Sequence, residues 1–214
     1  MQRLQTYWPE RFTFIPFCVV STDEDEQWVK DKGIKYLRHQ NQPLADKQNA
    51  GLVEALKLEW DYLIQISSDN LLTNEALHFI LPALIQGHTT IGFKESRVIN
   101  AKTKEAIVFK IKNGRNKLIG GNRLIKREAV EHLRGELFDP GLRRGLDFSS
   151  QCRIMNYDQS EPYAIQTREI CGLGIKSETQ ITPWERVQVG AKRINSQHIL
   201  DRLSDKEREL INEL

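Results

Sequence analysis

The stretch Asp61-Tyr62-Leu63-Ile64-Gln65-Ile66-Ser67-Ser68-Asp69-Asn70 is an apolar run that ends in a Ser-Asp-Asn turn. A buried strand that carries a carboxylate to the carboxyl edge of a sheet is how α/β proteins present a group to a metal or a phosphate. The competing reading is that Asp69 and Asn70 merely close an Asx-type turn. The rest of the chain has to decide between them.

Upstream, Phe12 to Val20 is a continuous apolar run, as expected of a strand buried on both faces, with Pro16 marking a bulge or an edge. Ser21 to Asp25 is an acidic turn, and the pattern predicts a helix over 24–32 stopped by Gly33, then a strand over 34–37. A helix over 47–60 leads into the strand at 62–66. Downstream, Thr73 is the expected N-cap of an amphipathic helix over 74–86, followed by strands at 89–93, 98–99 and 106–111. Gly120-Gly121-Asn122 breaks the chain before a helix over 126–134. Beyond about Tyr163 the pattern changes: after Pro183 a charged helix is expected over 185–203. A last helix follows, opened by a Ser204/Glu207 capping box and burying Leu210, Ile211 and Leu214. Alternation of strands and helices through residue 90 predicts an α/β fold, three layers around a mostly parallel, Rossmann-like sheet. The expected division is a domain over 1–162 and a helical C-terminal extension over 163–214.

The totals exclude several classes. The 214 residues carry 31 basic and 29 acidic side chains, a net charge of +2, which gives no electrostatic footprint for nucleic acid or an anionic membrane. No apolar run approaches the roughly 18 residues of a membrane span, and a signal-peptide pattern is lacking. Cys18, Cys152 and Cys171 are odd in number and far apart, fitting neither a disulfide framework nor a zinc site. A reducing, cytoplasmic setting is therefore expected.

Four stretches hold candidate chemistry. Ser21-Thr22-Asp23-Glu24-Asp25 can contact a base or ribose, or can simply cap the next helix. Lys47 opposes the macrodipole preference at its helix start, which makes sense beside a bound pyrophosphate, or as a solvated partner of Asp46. Asp69 and the Asn70 amide oxygen can supply the minimum protein ligands for Mg²⁺, or can close a turn. Asp147, among apolar neighbours at a helix start, reads either as a partly desolvated carboxylate suited to general-base work, as a dipole-compensating acid, or as a partner of Arg153.

Taken in order, these stretches resemble the GT-A fold glycosyltransferases of the inverting, family-two type. An acidic turn after a strand corresponds to Asp23. An Asn-x-Pro-Leu…Lys-x-Asn-x-Gly-Leu segment is matched at Asn41, Pro43, Leu44, Lys47, Asn49, Gly51 and Leu52. The metal motif corresponds to Ser68-Asp69-Asn70, and Gly120-Gly121-Asn122, Phe138-Asp139 and Leu146 to Arg153 follow. The resemblance covers about residues 10–155. It departs at Asn70, where many relatives carry an acid, and at Leu146 and Ser149, which replace acids. The family's first strand is also unmatched, since Leu4–Trp8 reads as the tail of its first helix. Three accounts of that gap stand: a start upstream of Met1, a differently closed sheet, or a degenerate site.

The resemblance implies a metal-assisted transfer of a sugar from a nucleotide-diphosphate donor to an acceptor hydroxyl. Asp23, Lys47, Asn49, Ser68 and Asn122 would bind the nucleotide or donor. Asp69 and Asn70 would hold Mn²⁺ or Mg²⁺, and Asp147 would act as the base. The alternative is a non-catalytic GT-A-like module that docks into a larger complex through its C-terminal helices. A nucleotidyltransferase would want a Gly-rich phosphate loop near the N-terminus, and the sequence has none there.

Overall fold

The computed structural model describes residues 12–67, 69–111, 117–176, 184–188 and 191–212. The chain divides into two compact units, residues 1–63 with 125–161, and residues 64–124 with 162–214. Among the described residues there are eleven strands and eight helices.

In the first unit, strands β1 (Phe17–Val20) and β2 (Lys35–Arg38) pair in parallel, Cys18 opposite Tyr36. Helix α1 (Asp23–Asp31) connects them, and the Thr22 hydroxyl accepts from the Asp25 N–H at 3.0 Å to cap it. Helix α2 (Leu44–Ala55) lies against β1, where Gly51 permits a close approach: a Cβ there would stand 2.4 Å from Val19 Cγ2. Helices α4 (Arg127–His132) and α5 (Leu146–Asp158) complete the unit. Its core is Ala45, Leu52, Ile125, Ala129, Val130, Leu137, Phe138 and Ile154, all buried.

In the second unit, the largest sheet has the order β11-β7-β6-β10-β4. Its members are β4 (Asn70–Leu72), β6 (Glu95–Asn100), β7 (Ala106–Lys110), β10 (Gly172–Lys176) and β11 (Lys192–Ile194). Three of its four pairings are antiparallel; only β6 with β10 is parallel. The β6–β7 hairpin closes where the Asn100 Oδ1 accepts from the N–H groups of Lys102 and Thr103, both at 2.9 Å. Helix α3 (Asn74–Ile85) follows β4, and β5 (Thr90–Phe93) pairs in parallel with β9 (Tyr163–Ile165). Strands β3 (Tyr62–Gln65) and β8 (Arg123–Lys126) lie where the chain passes from one unit's residues to the other's.

These pairings correct the expected fold class. The sheet is not the mostly parallel, Rossmann-like one of a three-layer nucleotide-diphospho-sugar transferase; the fold is mixed α/β with a predominantly antiparallel main sheet. The parallel signal was local and is satisfied locally, by β1 with β2. Past residue 70 the strands pair through a hairpin and through segments roughly 70 to 100 residues apart, which alternation along the chain does not encode.

The C-terminal region also differs from expectation. In place of one charged helix over 185–203 stand a short helix α6 (Trp184–Val187), strand β11 and helix α7 (Ser196–Leu200). Residues 192–194 are diverted into pairing with Ala106–Val108. Ile199, Leu203 and Ile211 join Ile99, Ala106, Leu173 and Ile175 in one buried cluster, so the segment beyond 162 supplies core to the sheet rather than hanging from it. Helix α8 (Asp205–Asn212) opens as expected, with the Glu207 carboxylate accepting from the Ser204 N–H at 2.6 Å and from its hydroxyl at 2.7 Å. The expected burial of the Leu210 side chain and of Leu214 lies outside what is described.

Candidate functional site

The expected site residues fall into two sets, one in each unit, and Ser68 lies outside the described residues. In the first unit Asp23 opens α1 with its side chain almost fully exposed and pairs with Arg38 at 2.7 Å. Arg38 also holds Glu26, which Lys30 approaches to 2.7 Å. The bond from Lys30, with those from Arg38 and Tyr36, holds the Glu26 carboxyl down at about 2.

Lys47 is half-buried on α2 and donates to the Asn41 Oδ1 at 3.1 Å. Burial pushes its ammonium below the ordinary lysine range, against an opposing influence of Asp25. Asn49, on the same helix, is committed otherwise: its Nδ2 donates to the Phe138 C=O at 2.8 Å, and its Oδ1 accepts from the Phe138 N–H at 3.0 Å. Buried as it is, this carboxamide fastens the loop that follows α4 to α2. Asp46 assists by accepting from the Gly141 N–H at 2.8 Å.

Asp147 stands in the first turn of α5 and is exposed, so the desolvation that would suit it to general-base work is absent; its charge complements the helix N-terminus. Nor does it pair with Arg153 in the expected way. That guanidinium reaches Asp139 at 3.2 Å and Glu136 at 3.7 Å. Asp139 also accepts from the Ser149 hydroxyl at 2.7 Å, and Ser149 and Arg153 together lower its carboxyl from the ordinary range.

In the second unit, Asp69, Asn70 and Asn122 come together against β10. The period of two along a strand puts Leu173 and Ile175 into the core and Gly172, Gly174 and Lys176 on the opposite face. On that face a Cβ at Gly172 would stand 2.7 Å from Asn122 Nδ2, and one at Gly174 would stand 3.3 Å from Asn70 Oδ1. A Cβ at Gly121 would meet Asn70 Nδ2 at 2.5 Å. Three glycines thus make room for two asparagine side chains.

Asn122 is buried and holds a left-handed backbone (φ 60°), which asparagine tolerates better than most residues. Its N–H donates to the Gln65 C=O at 2.9 Å, but its side-chain Oδ1 is buried without a partner. An unmet buried acceptor costs about 1–3 kcal/mol, so this carboxamide is held at the expense of stability. Beside it, Arg123 is fully buried and donates through Nε to the Gly120 C=O at 2.9 Å.

Asp69 is held on both sides of its Cα. Its C=O accepts from the Ile175 N–H at 2.7 Å, and its carboxylate forms an ion pair with the Lys176 ammonium. The two side chains are only 19% and 13% exposed. This pairing bears on the expected Mn²⁺ or Mg²⁺. A lysine ammonium is bonded to the carboxylate that should ligate the ion, and the Asn70 carboxamide is wedged between two glycines. Among the described residues no group of three or more His, Cys, Asp or Glu could hold a metal. The residues in place do not fit the divalent ion, and no chemical step is routed through one.

Lys176, Gln65 and Arg123 were not singled out from the sequence. The available signal was the alternation Gly172-Leu173-Gly174-Ile175-Lys176, which predicts a strand with one stripped face.

The described residues contain no helix long and apolar enough to cross a membrane. No family model matches the chain, and no curated protein matches it.

Proposed function

We propose that this protein binds a nucleotide-diphosphate sugar and transfers the sugar to an acceptor hydroxyl. The observation that carries the proposal is the convergence of Asp69, Asn70 and Asn122, taken from two separate stretches of sequence, on the stripped face of β10. Two carboxamides and a carboxylate–ammonium pair offer donors and acceptors at close spacing, as recognition of sugar and ribose hydroxyls requires. In the transfer the acceptor oxygen bonds to the anomeric carbon, the bond from that carbon to the diphosphate breaks, and the acceptor proton is released.

The test is calorimetric titration of the purified chain with UDP-, GDP-, CDP-, ADP- and dTDP-sugars, repeated with Asn122→Ala. Saturable binding of one donor that weakens in the variant is expected. Absence of binding to all five classes would contradict the proposal.

A second reading, a binding module without transfer activity, is favoured by the exposure of Asp147 at the start of α5. It predicts donor binding with no release of nucleoside diphosphate over hours in the presence of mixed sugar acceptors.

A further inference from the structure

We propose that Lys176 is the resident cation of this site: its ammonium stands at Asp69 in place of a divalent ion and receives the diphosphate of the ligand, so that binding needs no metal. This rests on the donor-binding reading above. The alternation of β10 fixes Lys176 on the same face as Gly172 and Gly174. The bond from the Ile175 N–H to the Asp69 C=O sets Asp69 beside it, so the two charges are held by adjoining, hydrogen-bonded segments rather than by flexible loops. A lysine ammonium has three N–H donors. Its hydrogen bond among the described residues goes to Asp69, which leaves donor capacity for phosphate oxygens. Asp69 then positions the cation rather than ligating a metal. A pair so little exposed is also not opened cheaply by a competing ion, because freeing the carboxylate strands the ammonium away from solvent.

Metal-free binding is the measurable consequence. The full chain is titrated calorimetrically with UDP, GDP, CDP, ADP and dTDP, once in EDTA and once in MnCl₂, as wild type, Lys176→Arg and Lys176→Ala. Thermal melts verify that each variant is folded. The wild type is expected to bind its preferred nucleotide with affinities that agree within about twofold between the two buffers. Lys176→Ala should lose roughly tenfold or more in EDTA, as for a deleted charge-assisted hydrogen bond, and recover part of it in MnCl₂ because Asp69 is uncovered. Lys176→Arg should retain binding in EDTA. Should Lys176→Ala melt out, the comparison of buffers with the wild type and Lys176→Arg still decides the matter. Wild-type binding in MnCl₂ alone would overturn the resident-cation assignment and leave donor binding standing. Undiminished binding by Lys176→Ala in EDTA would overturn it as well. No binding in either buffer would overturn the donor-binding reading, and this inference with it.

Discussion

Replacing Gly172 by alanine is the sharpest probe of how the site is built. The added Cβ would stand 2.7 Å from the Asn122 Nδ2, closer than such atoms pack. Strand β10 lies between β6 and β4 and is hydrogen-bonded to both, so the backbone at 172 cannot step aside. The Asn122 side chain must move instead, and it is buried, with its backbone pinned by the bond to Gln65. Overpacking of this kind costs about 1–3 kcal/mol. At Gly174 the nearest atom is Asn70 Oδ1 at 3.3 Å, a contact that a shift of a few tenths of an ångström relieves, so Gly174→Ala should cost no more than about 1 kcal/mol. Urea unfolding of the two variants against wild type reads the difference as a shift in midpoint at constant slope. Nucleotide titration should show the same ranking, with Gly172→Ala losing the larger share of affinity because it displaces Asn122. Equal stability for both variants, or a Gly172→Ala protein that binds as wild type, would refute the close-packed cluster.

Three further outcomes are expected. Asn49→Leu should destabilise the chain by about 2–4 kcal/mol in urea unfolding, because it removes two buried hydrogen bonds and leaves the Phe138 N–H and C=O unsatisfied; a cost below about 1 kcal/mol would show that the clamp is dispensable. The Glu26 carboxyl is lowered from 4.5 to about 2 in the folded chain, so its contribution to stability is present above 4.5 and disappears as pH falls towards 2. Stability against pH over that window should therefore be flatter in Glu26→Gln than in wild type, and parallel curves would contradict the assignment. Glu207→Ala should lower stability by roughly 0.5–2 kcal/mol by opening the capping box at Ser204; an unchanged melting midpoint would show that α8 starts without it.

Local elements were legible where short-range patterns dictate them. The helices at 23–31 and 74–85 and the strand at 62–65 follow from caps and apolar spacing. Thr73 shows where residue type misleads: it sits at the N-cap of α3, yet its hydroxyl donates to the Ile170 C=O and accepts no capping bond from a helix N–H. The direction of strand pairing was not legible, because β4 and β10 meet from opposite parts of the chain. In the site, Asp69, Asn70 and Asn122 carried a readable signal in their glycine-rich and turn-like settings. The resemblance implies a donor contact for Asn49, whose carboxamide is bonded to a backbone peptide 89 residues away. Lys176 escaped notice for the same reason. A single lysine closing a strand means little until the fold sets it against Asp69.

Hydrogen exchange of the chain with and without its preferred nucleotide sugar tests the central claim most directly, because it locates the ligand independently of turnover. Slowed exchange is predicted in the peptides covering 67–72, 120–123 and 172–176, the three stretches that bring Asp69, Asn70, Asn122 and Lys176 together. Slowing confined to other peptides, with these three unchanged at saturating ligand, would contradict the account.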